Sequence, residues 1–332
     1  MLKRTNKTSS DNVQLPLVIV NPRSAAGSTK EKWAEIASDV RTHFGPFSVA
    51  FTKGPGDGTE LAKRGAAAGR PFIIACGGDG TINEIANGIL SSGVDVELGI
   101  LPSGTGGDFR RTVGMPAGMR EAARALRTGR TELIDVGKVM FTGFDGEITS
   151  RWFVNVSSFG LAASIIERVK STSSLSWLPL DSVRGRASFA LSTLQEIVGM
   201  DAFAVKVKID GGDEKTLRTV NFCVANSRYF GGGMKIAPDA KINDGLLDIV
   251  NIGDINTAKI ILNSYTLYRG THVSLPEVGS RLAKRVEVRA ADPGTEIHLE
   301  TDGELPGKLP AVYEIVPGAL RVRVPNRGVS PK

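Results

Sequence analysis

The residues best suited to chemistry are gathered in two glycine-rich stretches, GGDGTINE at 77–84 and LPSGTGGDF at 101–109. In the first, three glycines surround one carboxylate, Asp79. The apolar run before them (IIAC, 73–76) reads as a buried strand, and Ile82, Ile85, Ala86, Ile89 and Leu90 after them fall on one helical face. The glycines then occupy a strand-to-helix turn. There the free N–H groups and partial positive charge of a helix start meet a backbone with no Cβ to hold a phosphate away. An acid beside a phosphate is repulsive unless a cation lies between them, so Asp79 implies Mg²⁺, held directly or through one of the waters that ion keeps. The second stretch repeats this make-up with Gly104, Thr105, Gly106, Gly107 and Asp108, and NPRSAAG (21–27) supplies a third polar loop. No GxxxxGK[ST] occurs, which excludes the ordinary P-loop, and G-G-D-G lacks the spacing of a dinucleotide GxGxxG.

Strands and helices in alternation must position these loops. LPLVIV (15–20) precedes NPRSAAG, and Ser28-x-x-Glu31 reads as a capping box opening a helix that Gly45-Pro46 stops. FSVAFT with LAKRGAAA, PFIIAC with TINEIANGIL, and LGILP with MREAARALRTG continue the pattern. Strands alternating with helices predict a parallel sheet covered on both faces, whose ligands bind in the crevice at the carboxyl ends of the strands. After about residue 133 the period becomes two. VKVKIDGGDEKTL (205–217), KRVEVRA (284–290) and YEIVPGALRVRVP (313–325) alternate apolar and polar residues, the first through a Gly-Gly turn and the last around a turn at Pro317-Gly318. The expected fold class is α/β: an N-terminal three-layer Rossmann-like domain over 13–133 followed by a mostly antiparallel β domain over 134–325. Residues 1–12 form a disordered tail, 320–332 return to the first domain, and a helical island covers 188–200.

Composition narrows the partners. Lys and Arg exceed Asp and Glu by 41 to 35, a mild net charge of +6 that suits an anionic partner, yet no arginine-rich run or aromatic RNA-binding signature points to nucleic acid. Cys76 and Cys223 lie singly in apolar runs and three histidines are scattered, which speaks for buried reduced thiols in the cytoplasm and against a zinc site. No window reaches the ~18–20 apolar residues of a membrane span, so contact with a membrane would be peripheral.

NPRSAAG, GGDGTINEI, LGILPSGTGGDF, IDVGKV (134–139), FVNVSSFG (153–160), FGGGMKIAPDAKINDGLLD (230–248) and TDGE (301–304) resemble, in order, the blocks of the diacylglycerol kinase catalytic family, which includes soluble bacterial lipid kinases and sphingosine kinases. The resemblance covers roughly 15–325. It implies phosphoryl transfer from Mg-ATP to a lipid hydroxyl at a membrane surface, on a fold whose N-terminal domain is an ATP-binding nucleotide domain and whose C-terminal domain, 134–325, is an antiparallel β-sandwich that takes the lipid. By the same resemblance the nucleotide contacts fall on Asn21, Pro22, Arg23, Ser24 and Ala25, on Thr52, on Gly78, Asp79, Gly80, Thr81, Ile82, Asn83 and Glu84, and on Thr105. Asp79, Asp108 and Asp135 match the acids that hold the nucleotide's Mg²⁺ through water, and Asp135 reads equally as a strand-end cap. Asp244, with the carbonyls of Lys241 and Leu246, matches a second, remote Mg²⁺ site that also reads as a plain Asn-Asp-Gly turn. The acceptor hydroxyl must lose its proton as the P–O bond forms, so a carboxylate is expected as base. Glu304 matches the family's proton acceptor, with Asp302 beside it to position the hydroxyl or share the role. Asp-Gly is also the favoured pair of a tight hairpin turn, the reading this segment invites by itself.

The chain departs from the family in carrying Gly107 where Asn is usual before the acid, and NPRSAAG for NPxSG; phosphate binding survives both, nucleotide preference less securely. Trp177, Leu178 and Leu180 with Arg168, Lys170, Arg184 and Arg186 give 166–188 the make-up of a membrane-surface segment or of a solvated loop. NAD kinases share GGDGT, and a non-catalytic nucleotide-binding regulator would keep the loops; LPSGTGGDF and FGGGMKIAPDA speak against the former, TDGE against the latter. The identity of the lipid and the oligomeric state, a homodimer included, stay open.

Overall fold

A computed structural model of the chain describes residues 14–104, 106–171 and 201–326. The tail 1–12, Thr105, the helix expected over 188–200 and most of the 166–188 segment lie outside the described residues.

The first half comprises β1 (Leu17–Val20), α1 (Ser28–Glu31), α2 (Trp33–His43), β2 (Ser48–Phe51), α3 (Asp57–Ala67), β3 (Phe72–Gly77), α4 (Asp79–Ser92), β4 (Glu97–Pro102), α5 (Asp108–Thr112) and α6 (Met119–Thr128). Its strands run parallel in the order β2-β1-β3-β4. LVIV and FIIACG are buried at every position, as strands covered on both faces must be. α3 packs on α4 and α2 on α6. Right-handed crossovers put these pairs on opposite faces, which gives three layers.

The capping box does not form. Gly27, left-handed at φ +90°, is the N-cap of α1, so Ser28 already lies inside the helix. The hydroxyl that ties this loop belongs instead to buried Thr29, which bonds Ser24 Oγ and Ser103 Oγ.

The second half is antiparallel: β5 (Arg130–Gly143), β6 (Ile148–Phe153), β7 (Val156–Gly160), α7 (Leu161–Ser171), β8 (Phe203–Ile209), β9 (Lys215–Thr219), β10 (Asn221–Ala225), β11 (Leu247–Ile252), α8 (Thr257–Arg269), β12 (Val278–Ala283), β13 (Arg285–Ala290), β14 (His298–Thr301) and β15 (Glu304–Val324). One layer runs β12-β11-β10-β7-β14 and the other β9-β8-β13-β15-β5-β6, joined where β14 turns into β15. Phe153, Phe159, Phe222, Leu247, Val286 and Tyr313 belong to the core between them. The fold class expected from the sequence is the one observed.

β15 differs from expectation. It does not reverse at Pro317-Gly318 but continues as one strand of 21 residues. Gly318 adopts φ +58° and donates its N–H to Asp135 Oδ1 at 2.8 Å, so the irregular residues form a bulge against β5 between Val316 and Leu320. Beyond the bulge Leu320, Val322 and Val324 enter the N-terminal core. There β15 pairs parallel to β4, and Arg323 closes on the buried Glu97 carboxylate. β5 pairs with β15 from Arg130 to Gly143, so the 133/134 boundary falls inside a strand shared by both cores.

Candidate active site

Strand order reverses between β1 and β3, and the loops after β1, β3 and β4 meet there. Asn21 Nδ2 donates to Thr81 Oγ1 at 3.1 Å, its Oδ1 accepts the Arg23 N–H at 2.9 Å, and Ser24 Oγ donates to its carbonyl at 2.7 Å. The glycine loops pass at distances a side chain would forbid. A Cβ on Gly104 would lie 2.6 Å from Gly78 Cα, and one on Gly106 would lie 2.6 Å from Asp79 Oδ2. Gly78 is the N-cap of α4, and a Cβ on Gly80 would meet nothing within 4 Å, so the start of this 14-residue helix is bare. It opens on a cavity of about 240 Å³ between the two glycine loops, with Arg110 and Arg111 on its wall. A wider groove of about 780 Å³ follows Pro22, Arg23 and Thr52, flanked by Lys30, Trp33 and Lys53.

The structure brings Asp79 and Asp108 together. Asp79 Oδ1 accepts the Phe109 N–H at 3.0 Å. Burial, joined by the neighbouring Asp79 charge, pushes the Asp108 carboxyl above its usual range, against the Gly232 N–H (2.8 Å) and Arg111 (3.0 Å) that stabilise its charge. Gly232 belongs to the FGGGMKIAP block, so Asp108 also fastens the two halves of the molecule. Glu84 accepts the N–H groups of Gly56 (2.8 Å) and Gly58 (2.9 Å), capping α3 beside the loop that carries Thr52. Asp135 lies within β5, not at a strand end, and its oxygens accept the N–H groups of Gly318 and of Gly245 (2.7 Å), which joins it to the 241–246 loop. In that loop Asp244 Oδ1 accepts the Leu246 N–H at 3.2 Å, and Asp248 beside it is pushed up to about 6 by burial and then by Asp244 and Asp239. Among the described residues no three acidic, histidine or cysteine side chains gather closely enough to ligate one ion.

Asp302 and Gly303 both take positive φ, +48° and +86°, and Thr301 pairs with Glu304 across them. This is the tight hairpin that Asp-Gly favours. The turn is also bonded into the crevice. The Asp302 carboxylate accepts from Asn83 Nδ2 at 2.6 Å and from the N–H groups of Val154 (2.8 Å), Asn155 (2.9 Å) and Val156 (3.0 Å). Burial pushes it up to about 6 while those four donors pull it down. Glu304 Oε2 pairs with Arg151 at 2.8 Å, and Arg151 also donates to Asn83 Oδ1 at 2.9 Å. Asn83 stands one helical turn beyond Asp79, so Glu304 and the bare helix start occupy the same end of α4. Beneath the turn lies Glu300, 3 % exposed, accepting from Ser158 Oγ at 2.6 Å and Gly303 N–H at 3.0 Å, and pushed up to about 7 by burial.

Arg151 and Asn87 escaped the sequence reading. Asn87 exchanges two 3.0 Å bonds with the Trp152 backbone and could have been found from its spacing, four residues after Asn83 on the same helix face. Arg151 sits in an ordinary strand and carried no signal.

Residues 16–139 match the diacylglycerol kinase catalytic domain, and residues 155–324 match the YegS C-terminal NAD kinase beta sandwich-like domain. The chain is 30% identical over 312 residues to a diacylglycerol kinase of Mycobacterium tuberculosis, spanning 93% of this chain and 95% of that one. A diacylglycerol kinase of Bacillus subtilis is 28% identical over 299 residues, 89% of this chain and 91% of the relative. A crystal structure of a diacylglycerol kinase from Bacillus anthracis shares the fold, with a TM-score of 0.70 at 23% identity, covering 96% of this chain and all of that one. With the two domain types in succession across both halves, and a relative at 30% identity along nearly the whole length, the chain belongs to the diacylglycerol kinase catalytic family.

Proposed function

We propose that the chain transfers the terminal phosphoryl group of ATP to a primary hydroxyl of diacylglycerol or a related lipid, working from the cytoplasm at a membrane surface. One observation carries this reading: Asn83 joins the helix start of a glycine-lined crevice to the turn that bears Asp302 and, through Arg151, to Glu304. The residues fit a nucleotide. Gly78 and Gly80 leave the start of α4 open, a Cβ on Gly104 would close on Gly78, and Asn21 to Ala25, Thr52, Ile82 and Glu84 would line or brace the rest. Asp79 and Asp108 would hold Mg²⁺ through water, with Asp135, the third acid the family resemblance gives, joining them only through further water, and when bound the ion would offset charge on the phosphate oxygens. A separate cation at Asp244, with the Lys241 and Leu246 carbonyls, would fasten the 241–246 loop.

For the acceptor, Arg151 holds Glu304 Oε2 and orients the carboxylate, leaving its other oxygen to take the hydroxyl proton. Asp302, with four donors on its two oxygens, fixes the turn so that Glu304 stays in place. The test is thin-layer separation of products from labelled ATP and a panel of diacylglycerol, monoacylglycerol, phosphatidylglycerol, a sphingoid base and NAD. The wild type phosphorylates a lipid of this panel, and Glu304→Gln lowers kcat by about 10²–10⁴ while ATP still binds. Labelling of NAD alone, or ATP binding without any product, would overturn the reading, and an unchanged Glu304→Gln rate would remove Glu304 as base.

A further inference from the structure

The α8 helix is turned inside out. Ile261, Leu262, Tyr265 and Tyr268 recur at helical spacing on its outer face, where they are 41, 74, 57 and 57% exposed. Thr266 is buried at the flank of this face, one turn on from Leu262, and the Asn263 amide and Thr266 hydroxyl are spent on bonds to carbonyls of the helix itself. Only Leu267 reaches the apolar cluster under the helix. A helix that serves only to cover a sheet shows the reverse pattern.

The helix has no acidic residue; it carries Lys259 and Arg269, the latter 5.8 Å over the Tyr265 ring. Lys235 lies against its C-terminal Gly270, and Lys235 N–H donates to the Leu267 carbonyl at 2.8 Å. Through this contact the helix is fastened to the FGGG loop, whose Gly232 binds Asp108 at the rim of the glycine crevice. The exposed face is thus short of a dimer interface but well placed beside the site. Its four side chains offer roughly 400 Å², against about 800 Å² on each partner in a stable dimer.

We infer that the outer face of α8 lies in the headgroup region of an anionic lipid bilayer, presenting the crevice to lipid drawn from that surface. Leucine and isoleucine would enter the acyl boundary, the tyrosines would sit at the interface, and Arg269 and Lys235 would meet phosphate. This inference rests on the lipid-kinase reading for what the bilayer supplies, but the contact itself is independent of catalysis.

The test is sedimentation of the full chain with vesicles of phosphatidylcholine mixed with phosphatidylglycerol, and with phosphatidylcholine alone. Leu262→Ser with Tyr265→Ser should lower partition onto the mixed vesicles about tenfold. Arg269→Glu should lower it on mixed vesicles only. Ile148→Ser, at an 80% exposed apolar residue of β6, should leave partition unchanged. All variants should phosphorylate lipid dispersed in detergent micelles at the wild-type rate. If the double variant pellets like the wild type, or if the wild type is a dimer in size-exclusion chromatography that the double variant splits, the docking inference falls while micellar activity leaves the kinase reading standing. If the wild type pellets as described but phosphorylates no lipid, the docking stands and the kinase reading falls.

Discussion

Asn83→Asp is nearly isosteric and reverses the chemistry of one atom. In the wild type Asn83 Nδ2 donates to Asp302 Oδ2 at 2.6 Å and to the Trp152 carbonyl at 3.1 Å. In the variant a carboxylate oxygen would face each of these acceptors. Two unit charges 2.6 Å apart repel by about 6 kcal/mol at an effective dielectric of ~20. The pair can avoid this by sharing one proton, and because the Asp302 carboxyl already sits at about 6 in the wild type, keeping it protonated at pH 7 costs about 1.36 × (7 − 6), or ~1.4 kcal/mol. The cheaper route wins, so the variant should be about 1.4 kcal/mol less stable than wild type near pH 7, with Arg151 returning about a quarter of that through its contact at 2.9 Å. The sign with pH follows from the protons. Native wild type releases this proton above about pH 6 while the native variant keeps it, so the penalty grows as pH rises past 6, and near pH 4.5, where wild type holds the proton as well, it should all but vanish. Urea denaturation followed by tryptophan fluorescence at pH 4.5 and 7.5 measures both values. An equal penalty at the two pH values, or one under about 0.5 kcal/mol at pH 7.5, would refute the claim that Asn83 is the joint between the helix start and the Asp302 turn.

Glu300→Gln probes the carboxyl beneath the same turn. Because burial raises Glu300 from 4.5 to about 7, its contribution to wild-type stability is complete below pH 4.5 and falls by about 3 kcal/mol as pH climbs to 7, so between pH 5 and 8 urea denaturation should show the variant gaining on wild type by an amount of that order. Gly104→Ala would place a Cβ 2.6 Å from Gly78 Cα and force the two loops apart, so titration should show ATP binding weakened at least tenfold with the melting temperature little changed; unchanged affinity would argue against the cradle. If Asp244 holds a cation, Mg²⁺ should raise the melting temperature over that in chelator for wild type but not for Asp244→Asn, as read by calorimetry, and a wild type indifferent to Mg²⁺ would empty that site.

The glycine loops, the parallel half and the antiparallel half were legible because each rests on local rules: apolar runs of strand length, helical spacing after GGDGT, and a period of two after residue 133. The capping box was misread because Gly27 offered a left-handed start one residue earlier than Ser28. Pro317-Gly318 was misread for a different reason. The pair is compatible with a turn, and only the distant Asp135 carboxylate, accepting the Gly318 N–H, makes it a bulge. The amide and guanidinium contacts that join Asn83, Arg151, Asp302 and Glu304 bridge 68 to 219 positions along the chain, and periodicity is blind at that range.

The passage of β15 through both cores bears on the order in which the protein can be completed. Leu320, Val322 and Val324 are the last residues of the described sheet, yet they finish the core that residues 17–128 begin. A chain emerging from the ribosome would therefore carry an N-terminal half whose β4 has a bare flank until residues 321–322 have been made. Cutting the gene after residue 319 would harm the half encoded first.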